Sequence, residues 1–147
     1  MSEELSNAAS EWLRFVMAYC NENGAPSDEL TLAMLTDDYV YEDRRHHGPS
    51  FPNLDAESTP KAVTSLWDTG GGEPRFTMHE ILAVRGDRIA ACRVSADYPN
   101  GWTTESIEVL ELDASLSLLR RMFDFDHDDV DAAIAELDRL HSQSDAI

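Results

Sequence analysis

Two carboxyl side chains fall where carboxyls are expensive. From Trp102 the chain alternates with period two, so Trp102, Thr104, Ser106, Glu108, Leu110 and Leu112 share one face of a strand. Glu108 is then an ionisable group on a largely apolar row, a position that demands protonation, a partner or a solvated pocket. A pocket would make it an acid or hydrogen-bond donor. An ion pair with Arg93 or Arg121 would make it an anchor of the sheet. Asp43 shares a face with Tyr39 and Tyr41, with Glu42 and Arg44 opposite. It reads either as a group facing a pocket or as a strand-end carboxylate satisfied by Arg45 or a turn amide.

The remaining clusters carry less chemistry. Arg44, Arg45, His46 and His47 form the only basic cluster, suited to an anionic group at a rim or to pairing with neighbouring acids. Adjacent histidines on a strand point to opposite faces, and the spacing matches neither HExxH nor a Cys/His site, so no metal is expected. Asp124, Asp126, Asp128 and Asp129 lack the glycine and ligand spacing of an EF-hand and read as an acidic helix start. Gly70-Gly71-Gly72 lacks the Lys-Ser/Thr of a phosphate loop. No local Ser/His/Asp or Cys/His arrangement stands out.

Composition narrows the partners. The 147 residues suit one domain over 1–147, with 42% hydrophobic and 27% charged side chains. Twenty-nine acids against eleven bases give a formal charge of −18, and Lys61 is the only lysine. Such a surface repels phosphate backbones and anionic lipid, so neither nucleic acid nor membrane is an expected partner. The acidic start MSEELSNAAS lacks a secretory signal pattern, and no run of about 18 apolar residues occurs. Cys20 and Cys92 lie far apart outside any CxxC. A reducing cytoplasm is the expected location.

The elements that must position the acids follow from periodicity. A helix runs from about Glu3 to Asn23 with Leu5, Trp12, Phe15, Val16 and Tyr19 as its stripe. Ser27 caps a short second helix with Leu30, Ala33 and Met34 buried. Tyr39–Arg45 is a strand and His46–Ser58 a long loop of the kind that forms lids or rims. Thr59-Pro60 opens a helix through Ala62, Val63, Leu66 and Trp67. Four antiparallel strands follow, Arg75–Arg85, Arg88–Tyr98, Trp102–Asp113 and Leu116–Asp126, the first pair joined at Gly86-Asp87. A helix over about 128–142, with Val130, Ala133, Ile134 and Leu137 on one face, precedes a tail at 143–147 expected to be disordered. The class is α+β, a curved antiparallel sheet packed on three N-terminal helices with a C-terminal helix. On the other sheet face Ile107 and Val109, with Ala90, Cys92 and Val94 beside them, predict an apolar outer surface covered by a second copy in a two-fold homodimer.

This order, with LTDDYVYEDRRHHG (Leu35 to Gly48), resembles the nuclear transport factor 2-like superfamily, which includes ketosteroid isomerases, limonene-epoxide hydrolases and SnoaL-type polyketide cyclases. The resemblance covers roughly Ala8 to Phe125. It implies a cone whose open end admits a small hydrophobic ligand. It also implies that Asp43 is a general base and Glu108 a protonated acid, with Phe15 standing where the isomerases carry a helix-one phenol. The epoxide hydrolases' Arg-x-Asp is reduced to Arg93-Val94-Ser95, and Arg121 stands at their last aspartate. The expectation is a cofactor-free isomerase or cyclase for a small hydrophobic carbonyl compound. Asp43 and Glu108 would be catalytic, and Phe15, Tyr19, Tyr41, Trp67, Arg93 and Arg121 would bind substrate. The alternative is a non-catalytic ligand-binding or regulatory module with the same cone.

Overall fold

The structure, a computed structural model, describes residues 5–47 and 51–145. Its elements are α1 (Ala8–Asn23), α2 (Asp28–Ala33), β1 (Leu35–Asp43), β2 (Leu54–Asp55), α3 (Thr59–Thr69), β3 (Arg75–Arg85), β4 (Ile89–Asp97), β5 (Thr103–Leu112), β6 (Leu119–Asp126) and α4 (Val130–Asp145). The strands form one sheet in the order β2-β1-β6-β5-β4-β3. β3 to β6 are antiparallel as expected, but β1 runs parallel to β6, so the sheet is mixed. Register shifts in the β3–β4, β1–β6 and β5–β6 pairs bend it, because an extra residue on one strand forces local twist.

Asn7 sets where α1 lies on that sheet. Its side chain accepts from the Ser10 amide while Ser10 reaches back to the Asn7 amide, a reciprocal cap that satisfies two helix-start donors. Asn7 Nδ2 of the side chain donates to Gly86 O and Ile89 O, tying the helix start to the β3–β4 turn. The stripe α1 buries is Ala9, Leu13, Met17 and Cys20. Phe15 is 72% exposed, because the helix is rotated so that the smaller residues meet the sheet. Ser27 Oγ accepts from the Leu30 amide and caps α2 as expected. α3 begins one residue earlier than a Thr59 cap would give: Thr59 is its first helical residue, Ser58 precedes it without a side-chain cap bond, and Thr59 Oγ1 donates to Asp55 O.

The long loop is partly structured. Leu54 and Asp55 pair with β1, and residues 48–50 of that loop lie outside the described residues. At the end of α3, Gly70 sits so close to Tyr98 that a Cβ would fall 2.0 Å from its ring. That contact lets Tyr98 close one wall of the inner face.

The largest departure is on the outer face. Ile107 and Val109, with Ile89, Ala91, Phe123 and Phe125, are buried under Ala133, Leu137 and Leu140 of α4. Ala90, Cys92 and Val94, expected on this face, belong to the inner core with Leu13, Met17 and Tyr39. The apolar surface that predicted a homodimer is thus covered by the chain's own last helix. α4 also continues to Asp145, so 143–145 are helical where a disordered tail was expected; 146–147 lie outside the described residues. No helix among the described residues is long and apolar enough to cross a membrane.

Candidate functional site

Between the helices and the inner sheet face lies a cavity of about 630 Å³. Trp12, Leu13 and Met17 of α1, Leu66 and Trp67 of α3, Phe76 of β3, and Tyr98 and Trp102 give it an apolar wall rich in aromatic rings. Trp67 and Phe76 tilt against each other at 5.9 Å between centroids, and Tyr98 stacks on Trp102 at 4.9 Å. The polar groups gather where β1, β6 and β5 run side by side. Strand register aligns Asp43 with Asp124, Asp124 with Glu108, and Glu108 with Cys92. Three carboxyls therefore stand in one row across three neighbouring strands, roughly 4.8 Å apart from strand to strand.

The three differ in what holds them. Asp43 is an ion-pair member: Arg45 reaches it with Nε at 2.9 Å and Nη2 at 3.0 Å, and the amides of Arg45 and Phe51 donate to it at 3.0 and 2.9 Å. Its side chain is 1% exposed, and it is not among the residues lining the cavity. Burial alone would raise its pKa, but these donors and the Arg45 charge outweigh it and hold the carboxyl below its ordinary value. The structural alternative for Asp43, satisfaction by Arg45 and a loop amide, is the arrangement found. Its partner Arg45 does line the cavity, its guanidinium lying 4.8 Å from the Phe51 ring centre.

Glu108 and Asp124 both line the cavity, and among the described residues neither forms a salt bridge with a basic side chain. Burial pushes Glu108 well up, and the neighbouring Asp124, through its charge and a shared hydrogen bond, pushes it further. Burial raises Asp124 as well, while the Tyr41 hydroxyl, Glu108 and the Arg45 charge work the other way. Two anions this close in a dry site repel, which favours keeping a proton on the pair, and the stronger upward push falls on Glu108. The Tyr41 hydroxyl donates to Asp124 Oδ2 in a short hydrogen bond. Burial and the Asp124 charge raise both Tyr41 and Tyr39, which keeps these cavity phenols protonated as donors.

The expected site residues divide cleanly. Tyr41, Trp67 and Glu108 meet at the cavity. Phe15 faces outward, and Tyr19 packs at the margin of the Trp67 cluster without lining the cavity. Arg93 and Arg121 lie on the other sheet face, because alternation that turns Cys92, Val94, Met122 and Asp124 inward turns them outward. Arg93 pairs with Glu80 and donates to His127 O at 3.2 Å; Arg121 lies 3.6 Å from Glu111 and donates to Gln143 at 3.2 Å. Neither anchors Glu108. Asp126 spends its oxygens on the amides of His46 (2.7 Å) and His47 (3.2 Å). We read its grouping with His46 and Asp129 as a clasp of the 44–47 segment to β6.

Asp124 is the residue the sequence reading missed. The signal was present: Glu108 and Asp124 lie equally far from Leu116, whose positive φ of 63° marks the turn between β5 and β6. An evenly paired hairpin puts them opposite each other.

No family model matches the chain, and no curated protein matches it in sequence. Solved structures do. PrhC from Penicillium brasilianum NBRC 6234 superposes with a TM-score of 0.61 at 16% identity, covering 94% of this chain and 93% of that one. The Δ5-3-ketosteroid isomerase of Mycobacterium sp. gives 0.54 at 18% identity over 81% and 92% of the two chains. RV0760c from Mycobacterium tuberculosis, solved with estradiol-17β-hemisuccinate, gives 0.54 at 15% identity over 81% and 93%. Likeness at these identities is likeness of backbone, and it agrees with the cone built above: the chain has the nuclear transport factor 2-like fold.

Proposed function

We propose that the cavity is a cofactor-free active site for proton transfer on a small hydrophobic carbonyl compound, of the isomerase or cyclase type. Asp124 is the base. It takes the proton alpha to the carbonyl, the C–H electron pair becomes the enol double bond, and Glu108 gives its hydrogen bond or proton to the carbonyl oxygen. The carbonyl π pair moves onto oxygen. Where Glu108 gives its proton the product is the neutral enol, Asp124 carries the proton taken from carbon, and the pair's net charge is unchanged. Where it gives only a hydrogen bond the product is the enolate. Tyr41 steadies Asp124. Asp43 acts one step removed, by fixing Arg45 on the wall beside the base. The observation that carries this reading is the pair itself: two buried carboxyls, side by side on an apolar cavity, with a phenol and not an arginine as their closest support. The isomerase and steroid-bound neighbours of the same fold lend it support.

The test is a panel of β,γ-unsaturated cyclic ketones, with formation of the conjugated enone followed by ultraviolet absorbance. Glu108→Gln and Asp124→Asn should each lower kcat/KM by about 10²–10⁴. Tight ligand binding with no turnover anywhere in the panel would favour the non-catalytic binding module.

A further inference from the structure

Away from the acid pair, one buried hydroxyl on the cavity wall has nothing to bind. Tyr98 follows the last residue of β4 and is 6% exposed. Its ring is fixed from both sides: a Cβ at Gly70 would fall 2.0 Å from it, and Trp102 stacks on it at 4.9 Å. Its amide donates to Trp102 O at 2.8 Å, which fixes the main chain as well. Trp67, Ala96 and Phe76 pack around it, and none of these side chains offers an acceptor. Among the described residues the hydroxyl meets no hydrogen-bond partner, yet its oxygen is not closed off, and Tyr98 lines the cavity. Burial pushes the phenol up to about 12, so it stays neutral and can both donate and accept. The charges of Arg45 and Glu108 reach it, which turns the hydroxyl toward the interior that those two residues line. A buried polar group without a partner is uncommon and needs a reason.

We propose that Tyr98 determines specificity, its hydroxyl binding a second oxygen of the substrate at the end remote from the reacting carbonyl. The substrate is then a rigid apolar carbonyl compound with a hydroxyl or ketone at its far end. This deepens the proton-transfer reading and rests on it for the carbonyl end alone. Register gives the span. Cys92 stands opposite Glu108, and Tyr98 lies further along the same inward row. At about 3.3 Å per residue the two levels are about 20 Å apart along the strand, and the phenol and carboxyl side chains take up part of that length. Val94 and Ala96 of β4, with the half-buried Ser106 and Thr104 of β5, form the floor between them. A rigid skeleton suits two fixed contacts, because a flexible chain loses more freedom when held at both ends. A charged far end fits worse, since a neutral phenol among aromatic rings leaves a charge unpaired.

Matched fused-ring ketones test this, alike except that the ring carbon farthest from the ketone carries hydrogen, methyl, hydroxyl or carboxylate. Affinity is read by calorimetry, and turnover separately by absorbance. Wild type should bind the hydroxyl compound about 3- to 10-fold more tightly than the parent, the range for one neutral hydrogen bond. In Tyr98→Phe that gain should fall below about twofold. The melting temperature should not move, because the ring keeps its packing and the lost hydroxyl leaves no partner behind. Thr104→Val should keep the gain. Equal affinity for the parent and hydroxyl compounds in wild type overturns the proposal, as does a methyl or carboxylate compound that binds as tightly as the hydroxyl one. So does a gain that survives Tyr98→Phe or vanishes in Thr104→Val. A fall in the melting temperature of Tyr98→Phe overturns it too, since the hydroxyl would then serve the fold. A hydroxyl gain lost in Tyr98→Phe, with no turnover of any ketone, upholds the Tyr98 contact and sinks the proton-transfer reading. Turnover without a hydroxyl gain does the reverse.

Discussion

The two faces of the sheet solve the burial of acids in opposite ways. On the outer face, Glu136 of α4 has a side chain only 2% exposed and meets two arginines, Arg44 and Arg139. Arg44 in turn lies over Phe123, 4.4 Å from the ring centre, and also pairs with Glu42 at 2.7 Å. Around that network Ile107, Val109, Leu137 and Leu140 pack without exposure. On the inner face Asp124 is buried and Glu108 half-buried at the cavity wall, and they have a phenol and each other, with the cavity beside them. A paired, packed acid is explained by the fold. An acid pair beside a cavity, in no salt bridge among the described residues, is a cost the fold alone does not justify, and that contrast points to function.

The contrast can be broken from the outer side first. Leu137→Ala should remove about 2–5 kcal/mol of stability, because a fully buried contact between α4 and the sheet is replaced by a cavity. Ligand affinity of the molecules that remain folded should not change. Glu136→Gln should cost less, about 1–3 kcal/mol, since Arg44 keeps Glu42 and both arginines reach solvent. Urea unfolding checks both.

The inner acids respond to pH in opposite directions. Glu108 has a raised pKa in the folded state, so the folded chain holds its proton when the unfolded chain has lost it. From about pH 4.3, the unfolded value, wild type should lose stability relative to Glu108→Gln as pH rises, by up to about 1.4 kcal/mol per pH unit until the folded value is reached. Asp43 has a lowered pKa. Its contribution is present above about pH 3.9 and lost as pH falls through the folded value, so Asp43→Asn should be destabilised at neutral pH and match wild type in acid. The smallest effect is a cap: Ser27→Ala should cost about 1 kcal/mol by leaving the Leu30 amide without its acceptor.

Local rules reached some of this and not the rest. Alternation along β5 suffices to put Glu108 inward, because a strand's period leaves one choice of face once Trp102 to Leu112 is aligned with the core. The β3–β4 turn at Gly86 and the Ser27 cap are equally local. The stripe of α1 is not, since both Leu5-Trp12-Phe15-Val16-Tyr19 and Ala9-Leu13-Met17-Cys20 fit a helical period. The choice depends on how Asn7 ties the helix to a turn some eighty residues away. The pairing of Asp124 with Glu108 needs the β5–β6 register, and the ion pair that occupies Asp43 depends on how the chain turns after β1. The premise of the homodimer expectation, an uncovered outer face, went astray for a similar reason: the periodic face of α4 was legible, but not that it would lie on Ile107 and Val109.

The central claim is that Glu108 and Asp124 hold one proton between them and that it rests on Glu108. Difference infrared spectroscopy of wild type against Glu108→Gln at neutral pH reads this directly. The account predicts a protonated-carboxyl C=O band in wild type that is absent from Glu108→Gln and perturbed, not lost, in Asp124→Asn. A wild-type spectrum in which both groups absorb only as carboxylates would contradict it.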